Sequence, residues 1–141
     1  MMTKFSLLLV LVLSVQAYAQ SDVDQQRANL VGANGRVWVF KAFDAKIDDP
    51  RKCISGAETW AFAPNGKVHI KKCVANKIER SELNWSIAKQ GIDYIVTLGG
   101  GQQYRFIYSK PASRRHQMRL RGVAGVKEEL SVDRVFTYWG K

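Results

Sequence analysis

From Arg36 onward, apolar and polar residues alternate with a period of two, and clusters of turn-forming residues interrupt the alternation at short intervals. Successive side chains of an extended strand point to opposite faces, so each such run predicts a strand with one buried face. Eight runs are predicted: 36–43, 57–63, 67–73, 78–87, 92–98, 102–109, 114–121 and 132–139. Pro64-Asn65-Gly66 separates the second from the third, and Asn-Gly between two alternating runs is a hairpin signal. Lys89-Gln90-Gly91, Gly99-Gly100-Gly101 and Pro111 mark later turns, and the polar stretch 44–52 with Pro50 separates the first two runs.

Short strands joined mostly by tight turns, with no helix long enough for a crossover, predict an antiparallel meander. A meander of eight removes its edges by closing on itself, so the expected fold is all-β, an eight-stranded antiparallel up-and-down barrel. A two-sheet sandwich is the competing arrangement. One short helix is expected over 21–31, started by a capping-box-like Ser21 and Asp24 and stopped at Asn34-Gly35.

Ahead of this pattern the chain reads differently. Lys4 precedes the apolar run 5–13, and Ala17-Tyr18-Ala19 supplies a small-x-small site, the order of a cleaved export signal. The run is shorter than the roughly 20 apolar residues of a spanning helix. The expected domains are therefore a signal peptide at 1–19 and one barrel domain at 20–141, secreted or periplasmic and not membrane-spanning. Formal net charge is +10 over 141 residues, and losing Lys4 with the signal leaves +9. In an oxidising compartment the two cysteines, Cys53 and Cys73, are expected to pair. Closing that loop contributes roughly 3 kcal/mol in the chain-entropy account. A metal site is not expected, because two cysteines and two scattered histidines do not make up a three- or four-ligand set.

Leu30-Val31-Gly32 stands ahead of an aromatic strand. Cys53, Glu58-Thr59-Trp60-Ala61-Phe62, Asn65-Gly66-Lys67-Val68, Cys73 and Asn84-Trp85-Ser86-Ile87 follow in that order. Over about 30–120 this resembles the bacterial lipocalin-like domains, small barrels of the calycin type. Gly35 lies three positions before Trp38, where the lipocalin signature has two, and Arg121 and Arg134 both remain candidates to pack on that tryptophan. The resemblance implies an interior pocket for a small hydrophobic molecule. Strand alternation turns Trp60, Phe62, Leu83, Trp85, Tyr94, Tyr104, Phe106, Met118 and Leu120 inward as its candidate walls. Aromatic walls offer apolar area and tyrosine hydroxyls can orient one polar group; the same residues could equally fill the barrel as core.

Alternation also puts Lys67, His69 and Lys71 on the outer side of the third strand, and Arg115, Arg119 and Arg121 on that of the seventh. Basic stripes raise the local potential, and the candidate partners are an anionic glycan, a lipid head group or an acidic protein. Solubility is the competing use of such charge. No nucleic-acid partner is expected, since no recognised nucleic-acid motif is present. An enzyme is not expected and no cofactor is implied: no serine sits in a nucleophile elbow. His116, on the side of Met118 and Leu120, has only Tyr104 or Tyr108 as a polar neighbour in prospect. Asn84-Trp85-Ser86 also matches a glycosylation sequon.

Overall fold

The fold is described by a computed structural model over residues 22–33, 35–40, 56–75, 77–110, 115–125 and 134–139. Eight antiparallel strands follow in chain order: β1 (Val37–Phe40), β2 (Glu58–Phe62), β3 (Lys67–Val74), β4 (Lys77–Gln90), β5 (Asp93–Leu98), β6 (Gln102–Ser109), β7 (Arg115–Ala124) and β8 (Arg134–Trp139). Each pairs with the next, and β8 returns to β1 through Val39 and Thr137, which closes the barrel. This is the up-and-down barrel expected, and the sandwich is excluded.

The turns explain the register. In the β2–β3 hairpin the Gly66 amide donates to Ala63 O at 3.2 Å, and Gly66 takes a positive φ of 81°. That places Pro64 and Asn65 at the bend and leaves the left-handed position to the residue without a Cβ. Between β4 and β5 the alternation misplaced one turn. Lys89 pairs with Tyr94 and Gln90 with Asp93, so the chain reverses at Gly91-Ile92, and Ile92 stands exposed at the tip instead of opening a strand. In β7 the ladder slips between Gln103 and Tyr104, which pair with Ala124 and Gly122 respectively. The extra residue, Val123, forms a bulge that no periodicity argument anticipates.

A helix, α1, spans 22–31 and packs across the end of the barrel where β1 begins. Val23, Leu30 and Val31 recur at helical spacing and face the core. It stops at Gly32 and not at Asn34-Gly35: Gly32 has φ 70° and its amide donates to Ala28 O at 2.8 Å. A left-handed glycine directly after the last turn closes the helix with its own backbone hydrogen bond. Trp38 Nε1 donates to Leu30 O at 2.9 Å, and the Arg36 guanidinium donates to Asn29 O. Two of the helix's terminal carbonyls are thereby satisfied. Among the described residues no helix is long and apolar enough to cross a membrane. The expected signal peptide, the Ser21 cap, Cys53 and the stretch 41–55 lie outside the described residues.

Candidate functional site: the barrel interior

The inward face of every strand feeds one continuous apolar cluster. All nine expected wall residues belong to it or pack against it, Leu83 and Tyr94 being half-buried at its margin. They do not act alone. Trp38, Ile70, Val96, Leu98 and Phe136 are buried in the same cluster, with Phe40, Tyr108 and Tyr138 against it. Ile70 and Tyr108 share the inward side of their strands by alternation, whereas Trp38, Phe40, Phe136 and Tyr138 were missed because β1 and β8 carry apolar residues on both faces, as in Val37-Trp38-Val39-Phe40. Exposure settles it: Trp38 is fully buried and Val37 is exposed.

The rings interlock. Trp60 meets Tyr104 edge-on with centroids 5.9 Å apart, Phe136 at 5.2 Å and Phe62 at 6.2 Å; Phe62 in turn meets Trp85 edge-on at 5.1 Å. Edge-to-face packing brings the positive ring edge to the negative ring face. The middle of the barrel is therefore packed with aromatic side chains.

Polar groups stand at the two ends. At the end where β2 begins, buried Glu58 accepts from Trp60 Nε1 at 2.8 Å through one oxygen and from Arg134 at 3.1 Å through the other, with Lys72 Nζ at 3.9 Å. Glu58 and Lys72 are register partners across β2 and β3, so Lys72 shares the inward face and not the outer stripe. The Arg134 guanidinium also lies over the Phe40 ring at 5.0 Å. Arg134 thus packs on a phenylalanine, and Arg121 stands exposed on β7. Burial pushes the Tyr104 hydroxyl above its usual range, Arg134 opposing that shift and Glu58 adding to it.

At the α1 end, Tyr108 and His116 are joined at 2.6 Å through the hydroxyl and Nδ1, and Tyr138 stacks obliquely on the imidazole at 5.5 Å. Arg36 covers the rings of both tyrosines at 5.6 and 5.7 Å. Burial, then Arg36 and Lys110, hold His116 below the ordinary histidine range. The neutral ring fits a hydroxyl that donates to Nδ1. Tyr108 rather than Tyr104 is its partner.

Two grooves lie at the ends of the barrel, the first against the outer row Val37, Ala61 and His69. One of 380 Å³ lies between the α1 terminus and the β2–β3 hairpin, with Val31, Val37, Ala61 and Phe62 in its walls and Arg36 and His69 among its lining. The other, 370 Å³, opens at the opposite end beside Gly99, Gly100, Gly101 and Gly125, with Leu83 and Leu98 at its floor. There β5 ends against Trp85, halfway along β4, and glycines leave the opening without side chains.

On the outer surface, Lys67 and Lys71 are half-buried, with Lys67 Nζ donating to Asn84 Oδ1 at 2.6 Å. His69 faces Glu82 at 3.4 Å. Across the ladder Lys67 and His69 are thus met by Asn84 and Glu82, whereas Lys71 stands opposite Arg80. Arg119 and Arg121 are exposed on β7; the side chain of Arg115 lies outside the described residues.

Fold and interior together define a class, the small closed antiparallel barrel with an aromatic interior and a helical plug. Compatibility with the lipocalin-like fold extends that far. No protein-family model matches the sequence, and no curated protein or solved structure matches it either.

Proposed function

We propose that this protein is an exported lipocalin-like barrel that binds a small hydrophobic molecule carrying one polar group. The observation that carries the reading is the joining of an aromatic interior to polar clusters at both ends, with a side-chain-poor groove opening onto Leu83 and Leu98. An eight-stranded barrel is just wide enough for packed side chains or one small ligand. The ligand would therefore enter by displacing the half-buried margin, Leu83 and Tyr94, and not the fully buried centre. Arg134 and Tyr104 would orient its polar end. Binding, not catalysis, is the role these groups suit: Glu58 is engaged by Trp60 and Arg134, and His116 by Tyr108.

Export and a Cys53–Cys73 disulfide belong to the same proposal. Cys73 is buried beside Ala57 and Ile78 on the outer side of the sheet, a setting that suits a staple. An intact mass that begins after Ala19 and gains two hydrogens on reduction is expected. A chain that retains residues 1–19 or two thiols would remove that part.

The binding test is titration of the delipidated mature protein with fatty acids, retinoids and haem-like compounds, read by tryptophan fluorescence. Trp60 and Trp85 lie within the cluster, so saturable quenching is expected, weakened by Leu83→Trp, which fills the floor of the groove. No saturable quenching with any of the three classes overturns the reading.

A further inference from the structure

We propose that the α1 end of the barrel is an acid-released latch, in which Arg36 clamps the helix and protonation of His116 expels that clamp. The device holds whether or not a ligand occupies the interior. Arg36 stands between helix and barrel. Its guanidinium donates to Asn29 O, and its stem packs against Gly32 at the helix end. The same guanidinium lies over the rings of Tyr108 and Tyr138 at 5.6 and 5.7 Å. His116 holds those two residues from the barrel, Tyr108 through its hydroxyl at 2.6 Å and Tyr138 with ring centroids 5.5 Å apart. One permanent cation and one that forms on acidification therefore share two tyrosines.

While the imidazole is neutral the arrangement is consistent, since Nδ1 accepts from Tyr108 and the ring faces are left to the guanidinium. Protonation adds a second positive charge beside the same rings. The surroundings offer no carboxylate to offset it. The charged groups acting on His116 are Arg36 and Lys110, both cationic, and the titratable groups packed on it are Tyr108 from β6 and Tyr138 from β8. Asp22 and Asp24 stand exposed on α1, and Lys89 holds Asp22 at 3.4 Å. The undescribed residues that adjoin this end in sequence, 1–21, 34, 111–114 and 140–141, carry Lys4, Arg114 and Lys141 and no Asp or Glu. His116 is buried and Arg36 only half-buried, so Arg36 is the cation that can swing to water. Its departure leaves the Asn29 carbonyl without its donor at the helix end. A helix of this length is marginal by itself, and Trp38 and the Asp22–Lys89 pair still tether it. The last turn loosens while the rest stays docked. That turn and Arg36 form one wall of the 380 Å³ groove beside Phe62, so acidification widens that groove.

The test is amide hydrogen exchange of the mature chain, corrected for intrinsic rates, between about pH 7.5 and about pH 5, where histidine titrates. Opening of the last turn, read at residues 29–32, is expected to grow by up to about tenfold per pH unit, while amides of β5 and β6 keep their protection. His116→Gln retains an acceptor but gains no proton, so the pH response should vanish. Arg36→Met should leave the last turn equally unprotected at both ends of the range. It should also move the His116 titration, followed by NMR, up toward the ordinary histidine range, as reciprocity of the coupling requires. Wild-type protection at 29–32 that does not change, or that falls equally in His116→Gln, overturns the proposal. So does a fall shared by β5 and β6, which is general unfolding, and so does a His116 titration that Arg36→Met leaves in place. This last reading needs only the arginine variant and stands even where His116→Gln fails to fold.

Discussion

At the scale of single residues, the ends of the barrel depend on polar side chains held in fixed company. His116 is the clearest case. Its imidazole accepts from Tyr108, lies against Tyr138 and has Arg36 and Lys110 as cationic neighbours, so protonation inside the fold is disfavoured. The unfolded chain takes up that proton more readily, so the contribution of His116 to stability is complete above the usual histidine range. It is lost as pH falls through that range toward the lowered folded value. Urea unfolding of wild type and His116→Gln across this window should give curves that converge as pH falls. Parallel curves would show that the imidazole titrates alike in both states. The inward side of His116 was legible in the alternation of β7; its partner was not. Tyr104 and Tyr108 alternate identically along β6, and only the register, Tyr108 opposite Met118 and Tyr104 opposite Gly122, decides which one reaches the ring.

Elements show how local chemistry sets boundaries and where it falls silent. All eight strands coincide with alternating runs to within three residues at either end, and β6 matches from Gln102 to Ser109. Turn glycines account for that, because a left-handed position excludes most side chains and marks the bend in the sequence itself. The helix stop was misassigned because Gly32 and Gly35 offer the same local signal. Gly32 prevails through its hydrogen bond to Ala28 and through the Arg36 side chain packed against it. The bulge in β7 carries no signal of its own in the sequence; Gly125, just beyond it, is required both by its own left-handed backbone and by a neighbour. With φ at 64°, an added Cβ would stand 2.6 Å from Gly101 O, where the end of β7 meets the β5–β6 turn. Gly125→Ala is therefore expected to destabilise the protein by roughly 2 kcal/mol or more, measured by chemical denaturation. Gly100→Ala, with open space around its Cα, should cost far less.

Across the whole molecule, the Glu58–Arg134 pair ties β2 to β8 over 76 residues of sequence, close to where the barrel seals between β1 and β8. Both side chains are largely buried, so removing one strands the other. Glu58→Leu or Arg134→Met alone is expected to cost about 3–5 kcal/mol, and the two together far less, because an apolar pair leaves no orphan charge. Additive losses in that cycle would show that the two groups do not act as a unit. A barrel was legible from the number of alternating runs and the shortness of their connections, and the nine expected wall residues do share one interior. The charged mouth was legible only in part. Alternation puts Glu58 on the side of Trp60 and Phe62, Lys72 on that of Val68 and Ile70, and Arg134 on that of Phe136, but it does not show that the three meet. By itself, the sequence determined what each short stretch can decide from its own neighbours: strand periodicity, the turns that glycine and asparagine impose, and the inward aromatic rows. Tertiary structure decided which inward groups meet, which face of an all-apolar strand is buried, and which cations remain outside. Those outcomes depend on register and closure, where residues many turns apart become neighbours and burial raises the cost of an unpaired charge.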